Sequence, residues 1–420
     1  MKVVYVGGCG RLGLALAAVS ADCGHEVVCA DINRDMVDKV NAGQVDTWEP
    51  DVAELVEKYA GKNLTATTDI KAACSQAELV CILVPTPSLP NGGFSNEYIL
   101  EACEQIGFGL CENRNPYPVV SVVSTVMPGS IDIIAGSLSA WAAGVLGEEW
   151  GIVYSPEFVA QGSIVKNFRR PDMVMIGSDD ERATEIVGEY YFSVVTAGYF
   201  APHCIMSVVS AEIAKLALNV SVVTKIQLAN QIAMLCHETP GASVGDVLGA
   251  IGDDSRIGHK YFSAGVWPGG PCFRRDPRAL SAHAATVDCP SLLIDGVDVF
   301  TNVMAHWLAA HVMEQGEVVG ILGLTYKPDI DIMDESPGVL LGEMLPQGTY
   351  IYYHDPARQQ GLSLVEMVEH CDVLVIMTPW EEYGELEDMD LGDTVVFDMW
   401  GLLNPTKIEH YVRFGWGSDI

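Results

Sequence analysis

Positive charge is scarce in this chain. Lys and Arg total 23 against 56 Asp and Glu, a formal net charge of -33 over 420 residues. So acidic a protein has no basic face with which to attract nucleic acid broadly, and anionic membrane surfaces repel it. A phosphate ligand would need a pocket that locally inverts this field. The same acidity fits a salt-adapted source. Paired cysteines are missing as well. Twelve cysteines are scattered along the chain with no CxxC pair, so neither a zinc site nor a redox dithiol is expected. Twelve thiols in a chain this long do not make a disulfide scaffold, which points to a reducing cytoplasm. No charge-free apolar run reaches membrane-spanning length. The longest candidate, around 205–236, carries Glu212, Lys215 and Lys225. No secretory leader is expected ahead of the first strand, Val3 to Val6. Low-complexity linkers are absent too, and 49% hydrophobic against 19% charged residues is a globular composition. The length suits two or three domains.

What is there begins with an apolar run, Lys2 to Val6, leading into Gly8-Cys9-Gly10-Arg11-Leu12-Gly13 and a helical stretch, Leu14 to Ala21. A second strand, Glu26 to Ala30, ends on Asp31. A lone GxGxxG says little, but strand, glycines, helix, strand and terminal acid in this order form a dinucleotide-binding fingerprint. Gly8, Gly10, Leu12 and Gly13 would let backbone amides approach a pyrophosphate at a helix N-terminus. Asp31 would accept from the adenosine ribose, favouring NAD over NADP. Further strands, Leu79 to Val84 and Pro118 to Val123, end near Thr86 and Thr125. In an open parallel sheet these positions line the ligand crevice, although each alone reads equally as a turn residue. Gly151 to Tyr154 leads to Ser155-Pro156-Glu157-Phe158, which makes Glu157 a general-base candidate by position.

From Ser207 the strand–helix alternation stops. Ala211 to Leu235 reads as one long helix, with Lys215 and Asn219 one turn apart on one face. A helix of this length is a natural oligomer surface. Beyond it, Gly269-Gly270-Pro271-Cys272-Phe273-Arg274-Arg275-Asp276 sets one cysteine after two glycines and ahead of two guanidinium groups. The glycines permit a tight turn, and nearby positive charge favours thiolate over thiol. Cys272 thus reads as an activated nucleophile, against the ordinary outcome of a buried, inert thiol. Strands at Val318 to Leu324, Tyr350 to Tyr353, Val373 to Met377 and Val395 to Phe397 form a further α/β unit.

Taken in order, GxGxxG, Ser-Pro-Glu-Phe, Ala-Glu-Ile-Ala-Lys-Leu-Ala-Leu-Asn, Asp-Ser-Arg-Ile-Gly, Gly-Gly-Pro-Cys-Phe-Arg-Arg-Asp and Leu-Gly-Leu-Thr-Tyr-Lys-Pro resemble the UDP-glucose/GDP-mannose dehydrogenase family over essentially the whole chain. The resemblance implies an α/β architecture: a Rossmann NAD-binding domain over 1–200, a central long-helix dimerisation region over 201–309 that includes the cysteine loop, and a Rossmann-like nucleotide-sugar domain over 310–420. It implies a homodimer or larger homo-oligomer. It also implies a four-electron, NAD-dependent oxidation of a nucleotide-sugar C6 alcohol to a uronic acid, through a Cys272 thiohemiacetal and thioester. Lys215 would hold the oxyanion, and Asn219 the same oxygen or a water. Asp276 would orient water or Lys215, and Glu157 with Thr125 would serve hydrolysis. Arg275 takes the place of a family lysine near the cofactor. Phe158, Arg256, Tyr261, Phe262, Gly265, Gly269 and Lys327 match substrate positions, with Arg256 acting across a subunit contact. UDP-glucose is the first expected substrate. GDP-mannose or an unusual sugar nucleotide such as a heptose is the alternative, and a non-catalytic paralogue is the reading from another class.

The chain departs from the family pattern in places. Pro271 and Arg274 replace a serine and a proline, and Asp334 stands where an arginine meets the cofactor. An arginine expected near Trp400-Gly401 to meet the substrate phosphates is missing. Met36 replaces a common basic residue, and Gly265-Val266-Trp267-Pro268 replaces a more glycine-rich loop. Each lost charge-assisted contact is worth about 1.5–3 kcal/mol.

Overall fold

The computed structural model describes residues 1–358 and 361–417. The chain divides into two compact units, Met1–Leu216 and Ala217–Ile420.

The first unit is built on an eight-stranded sheet. Its strands are β1 (Lys2–Val6), β2 (Glu26–Ala30), β3 (Leu64–Thr67), β4 (Leu79–Ile82), β5 (Val119–Val122), β6 (Gly151–Tyr154), β7 (Val174–Gly177) and β8 (His203–Met206), in spatial order β3-β2-β1-β4-β5-β6-β7-β8. Every pairing is parallel except β6 with β7, which meet antiparallel at Tyr154 and Gly177. The inner strands β4, β5 and β6 are buried along their whole length, which is why they read as unbroken apolar runs. Strand order reverses between β1 and β4, and the crevice beyond their carboxyl ends is where such sheets hold ligands. The helix after β1, Arg11–Asp22, starts beneath that crevice. Gly13 has to be glycine: a Cβ there would lie 2.6 Å from the Gly7 carbonyl oxygen.

The long helix runs Val208–His237, one turn beyond the expected span at its start. Ser207 sits just ahead of it, its Oγ accepting from Ser210 N at 3.4 Å and its carbonyl from Ala211 N at 3.1 Å. In the second unit the helix Leu292–Met313 packs on it through buried Gln227, whose Nε2 donates to Val297 O (2.6 Å) and Thr301 Oγ1 (2.9 Å). A five-stranded, wholly parallel sheet follows: β9 (Val318–Leu322), β10 (Tyr350–His354), β11 (Val373–Ile376), β12 (Val395–Asp398) and β13 (Tyr411–Arg413), in order β10-β9-β11-β12-β13. Buried Asp355, just past β10, accepts from Leu324 N, Thr325 N and Thr325 Oγ1. The acid that ends this sheet's second strand is therefore a loop anchor. Among the described residues no helix is long and apolar enough to cross a membrane.

Candidate active site

In the first unit the candidate residues collect at the carboxyl ends of β1, β2, β4, β5 and β6. Gly10 caps the first helix and offers no side chain to its first-turn amides, which leaves donors for an anion. Leu12 and Gly13 lie in that first turn, and Gly8 in the turn before it. Asp31 accepts from Cys9 N at 3.1 Å and from Asn33 N at 3.0 Å. A carboxylate has about four acceptor positions, so it retains capacity for ribose hydroxyls. Thr86 Oγ1 donates to Thr125 O at 2.8 Å, tying the β4 and β5 ends together.

Past β6 lies Glu157. As a residue it is half-buried, but its carboxyl is enclosed, and burial pushes its pKa from 4.5 to about 7 against the opposing pull of the Tyr191 hydrogen bond and the Lys215 charge. Tyr191 Oη donates to Glu157 Oε1 at 2.7 Å. Lys215, buried on the long helix, donates from Nζ to the Glu157 carbonyl at 2.6 Å and stands 4.5 Å above the Phe158 ring. Glu157, Phe158, Tyr191 and Lys215 thus form one cluster: a base titrating near neutrality and a cation held close by.

In the second unit Asn219 Nδ2 donates to Asp276 Oδ2 at 2.6 Å, both groups being buried. Cys272 is exposed. It lies in a short helix, Gly270–Phe273, where the sequence led us to expect only a tight turn. Gly270 has φ +85, and a Cβ there would meet the Tyr326 ring at 2.8 Å. Its amide donates to Asp334 O at 2.9 Å, so Asp334 supports the cysteine helix with its carbonyl. Gly269 is equally closed in: a Cβ would lie 2.8 Å from Glu335 O.

The expected pair of activating guanidinium groups needs correction. Arg274 is buried and forked between Asp298 and Glu335, 2.9 Å from each, and Arg278 pairs with the same two acids. Its charge is neutralised there. Arg275 is the guanidinium coupled to Cys272 and to Asp276. One cation, not two, favours the thiolate.

The loop expected to meet the substrate, around 256–266, is held from the long helix. Asn230, fully buried, accepts from Gly265 N at 3.0 Å and donates to Val266 O at 3.1 Å. Lys225 Nζ donates to Ile257 O and Gly258 O. Phe262 is buried, whereas Tyr261 is 47% exposed at φ 60. Arg256 is exposed and pairs with Asp254 at 2.6 Å. Lys327 lies 5.8 Å from the ring of neighbouring Tyr326.

Residues 1–195 match the NAD binding domain of the UDP-glucose/GDP-mannose dehydrogenase family, 209–302 its central domain and 320–405 its UDP binding domain. UDP-glucose 6-dehydrogenase AglM of Haloferax volcanii is 31% identical over 397 residues, 91% of this chain and 92% of that protein. The chain belongs to this dehydrogenase family. A UDP-glucose dehydrogenase from the archaeon Pyrobaculum islandicum shares the fold at TM-score 0.89 and 28% identity, covering 99% of this chain and 98% of that one. A GDP-mannose dehydrogenase from Pseudomonas aeruginosa matches at TM-score 0.57 and 26% identity, covering 99% of this chain and 100% of that one. As a member of the family the chain is an NAD-dependent nucleotide-sugar dehydrogenase, and NAD is its cofactor. The uncapped first helix and Asp31 fit that cofactor.

Several members of this dehydrogenase's polar framework escaped the sequence reading: Tyr191 on Glu157, Asn230 on the Gly265–Val266 backbone, and Glu212. Glu212 is fully buried and accepts from Gly129 N (2.7 Å) and Ile131 N (2.9 Å), fixing the loop after Thr125 to the helix that bears Lys215. The one advance signal was a carboxylate in an otherwise apolar helical stretch.

Proposed function

We propose that this dehydrogenase oxidises the C6 alcohol of a nucleotide sugar, UDP-glucose first, to the uronic acid through a covalent adduct on Cys272. Bound NAD+ supplies the hydride acceptor for each of the two oxidations. The chain's own residues do the rest. Cys272 Sγ adds to the C6 aldehyde, giving a thiohemiacetal, and after the second oxidation the carbon is held as a thioester. Water adds to that thioester, its proton passing to Glu157, and the C–S bond breaks to return the thiolate and release the carboxylic acid, which loses its remaining proton to solvent. Lys215 stabilises the oxyanion, and Asn219, held by Asp276, assists. The observation that carries the reading is the Cys272 thiol itself: exposed, at the start of a helix set by Gly269 and Gly270, and within the field of Arg275.

The test is Cys272→Ala. The expected result is a loss of steady-state turnover of at least about 100-fold with NAD affinity kept, while the parent yields two NADH per sugar and a mass-detectable acyl adduct. Unchanged turnover in the variant would overturn the thioester, whereas a parent and variant that both bind NAD+ and turn over no nucleotide sugar would favour a non-catalytic paralogue.

A second reading changes only the sugar nucleotide. Trp400 stands where a cation is expected, and its ring lies 2.6 Å from a Cβ built on Gly265. That altered surface favours a different base or sugar, with GDP-mannose or a heptose nucleotide as candidates. A panel of UDP- and GDP-sugars, ranked by kcat/KM, separates the two readings. We also infer a homo-oligomer. In the second unit Leu228 and Leu235 on the long helix, and Leu292, Leu293, Val299 and Val303 on the helix packed against it, are exposed apolar residues. For copies carrying a charge of -33 each, an uncharged apolar surface is where contact costs least. The cysteine usage supports a cytoplasmic setting.

A further inference from the structure

Within the second unit a cavity of about 250 Å³ opens among the helix Val244–Gly252, the loop before the cysteine helix and the ends of β12 and β13. Its wall includes His259, Phe262, Trp400, Arg413 and Phe414. Arg413 is the one guanidinium on this lining. It ends β13, and its side chain crosses to the loop after β12. Gly401 has φ +66, and a Cβ built there would lie 2.6 Å from Arg413 Cζ, Nε and Nη2. The guanidinium therefore fills the space that a side chain at position 401 would otherwise take. Its flat face lies 4.3 Å from the Trp416 ring.

Among the described residues no acid neutralises this charge. The carboxylate opposite it in the sheet is Asp398, in register with Arg413. Asp398 is fully buried and accepts from Trp400 N, Gly401 N, Leu403 N and Tyr411 Oη. Those four donors use its acceptor capacity. Among the described residues no ion pair involves Arg413. Two other cations near this loop are engaged elsewhere: Lys225 with two carbonyls and Arg256 with Asp254. Trp400 cannot yield its place, because its Nε1 donates to Met377 O at 3.1 Å and its ring lies against Gly265. In a protein of net charge -33, a guanidinium with no acid partner among the described residues, beside indole and phenyl walls, is a local inversion of the field. Its fork geometry suits phosphate oxygens, and the rings suit a base or ribose.

We propose that Arg413, reaching from β13 over Gly401, is the cation that holds the diphosphate of the nucleotide-sugar substrate in this chain. The proposal rests on the nucleotide-sugar reading above. It assigns to the last strand of the sheet a contact that the sequence at 400–401 no longer supplies.

The experiment compares the full-length wild type with Arg413→Ala and Arg413→Gln. Calorimetric titration with UDP and with GDP is run at several KCl concentrations, alongside steady-state kinetics at saturating NAD+. The expected result is that both variants lose about tenfold or more in affinity for the diphosphate the wild type binds. The salt dependence of binding should flatten, the KM for the nucleotide sugar should rise in parallel, and kcat and the KM for NAD+ should stay within about twofold. Arg413→Gln keeps a planar group against Trp416 and serves if the alanine variant does not fold. Unchanged diphosphate affinity and salt slope in a folded variant overturn the proposal. If the wild type binds UDP or GDP but reduces no NAD+ with any nucleotide sugar, the catalytic reading fails, while the Arg413 assignment is still decided by the two affinities. If the wild type binds neither diphosphate, both fall.

Discussion

At the scale of single residues, the Glu157 carboxyl has the most to say about pH. Burial lifts it from 4.5 to about 7, so it is largely protonated at pH 6 and ionised at pH 8. In its proposed role as base it works only when ionised, and kcat should therefore fall as pH drops through about 7. The Tyr191 hydrogen bond stabilises the ionised form, opposing burial. Tyr191→Phe should consequently move the acid limb of the pH–rate curve upward, and Glu157→Gln should abolish that limb along with most of the turnover. An unshifted limb in Tyr191→Phe would remove Glu157 as the group being titrated. The same shift has a sign in stability. Because the folded state holds this proton more tightly than the unfolded one, the group's contribution to stability is full below pH 4.5 and is lost as pH rises through about 7. Activity and this element of stability thus run in opposite directions across neutrality, so pH–rate curves should be gathered well below the melting temperature.

At the scale of elements, the long helix and the loops it holds explain what was legible and what was not. The interior strands β1, β4, β5, β6, β9 and β11 announce themselves because both faces are buried, leaving no polar alternation. The edge strands β3, β8 and β13 passed unrecognised because edges bury less and carry residues such as Thr65, His203 and Arg413. Buried β7 also passed unrecognised, although it is as long and as buried as β4, β5 and β6. The candidate site divides in the same way. Cys272, Lys215, Asn219 and Glu157 sit in local motifs, whereas Tyr191, Glu212 and Asn230 act on residues 34 or more positions away, and no local pattern marks such a pairing. Asn230 gives the cleanest test at this scale. Its amide satisfies Gly265 N and Val266 O inside the protein. Asn230→Leu leaves both backbone groups buried without a partner, at about 1–3 kcal/mol each. The melting temperature should fall. The KM for the nucleotide sugar should rise more than the KM for NAD+, since the loop that loses its clamp lies in the second unit. Equal rises in both KM values would mean that the clamp serves general stability and not the substrate loop.

At the scale of the whole molecule, charge decides how the protein meets its surroundings. A formal charge of -33 makes compaction of the chain work against its own repulsion, and salt relieves that repulsion by shortening the Debye length to ~3 Å at about 1 M. The melting temperature should rise from low to molar KCl, and a flat or falling curve would mean that local ion pairs outweigh net repulsion. The inferred association of copies obeys the same field with a sharper consequence. Contact through Leu292, Leu293, Val299 and Val303 gains from buried apolar area, which salt does not screen, while the approach of two like-charged bodies loses to repulsion, which salt does screen. Light scattering across a KCl series should therefore show association tightening with salt. Replacing Leu292 and Leu293 together by Asp should leave each copy folded, since both side chains are over 80% exposed, and should shift the population toward monomer at every salt concentration. Association that weakens with salt would require ion pairs across the contact in place of an apolar one. A double variant that associates as the parent does would place the contact elsewhere on the surface.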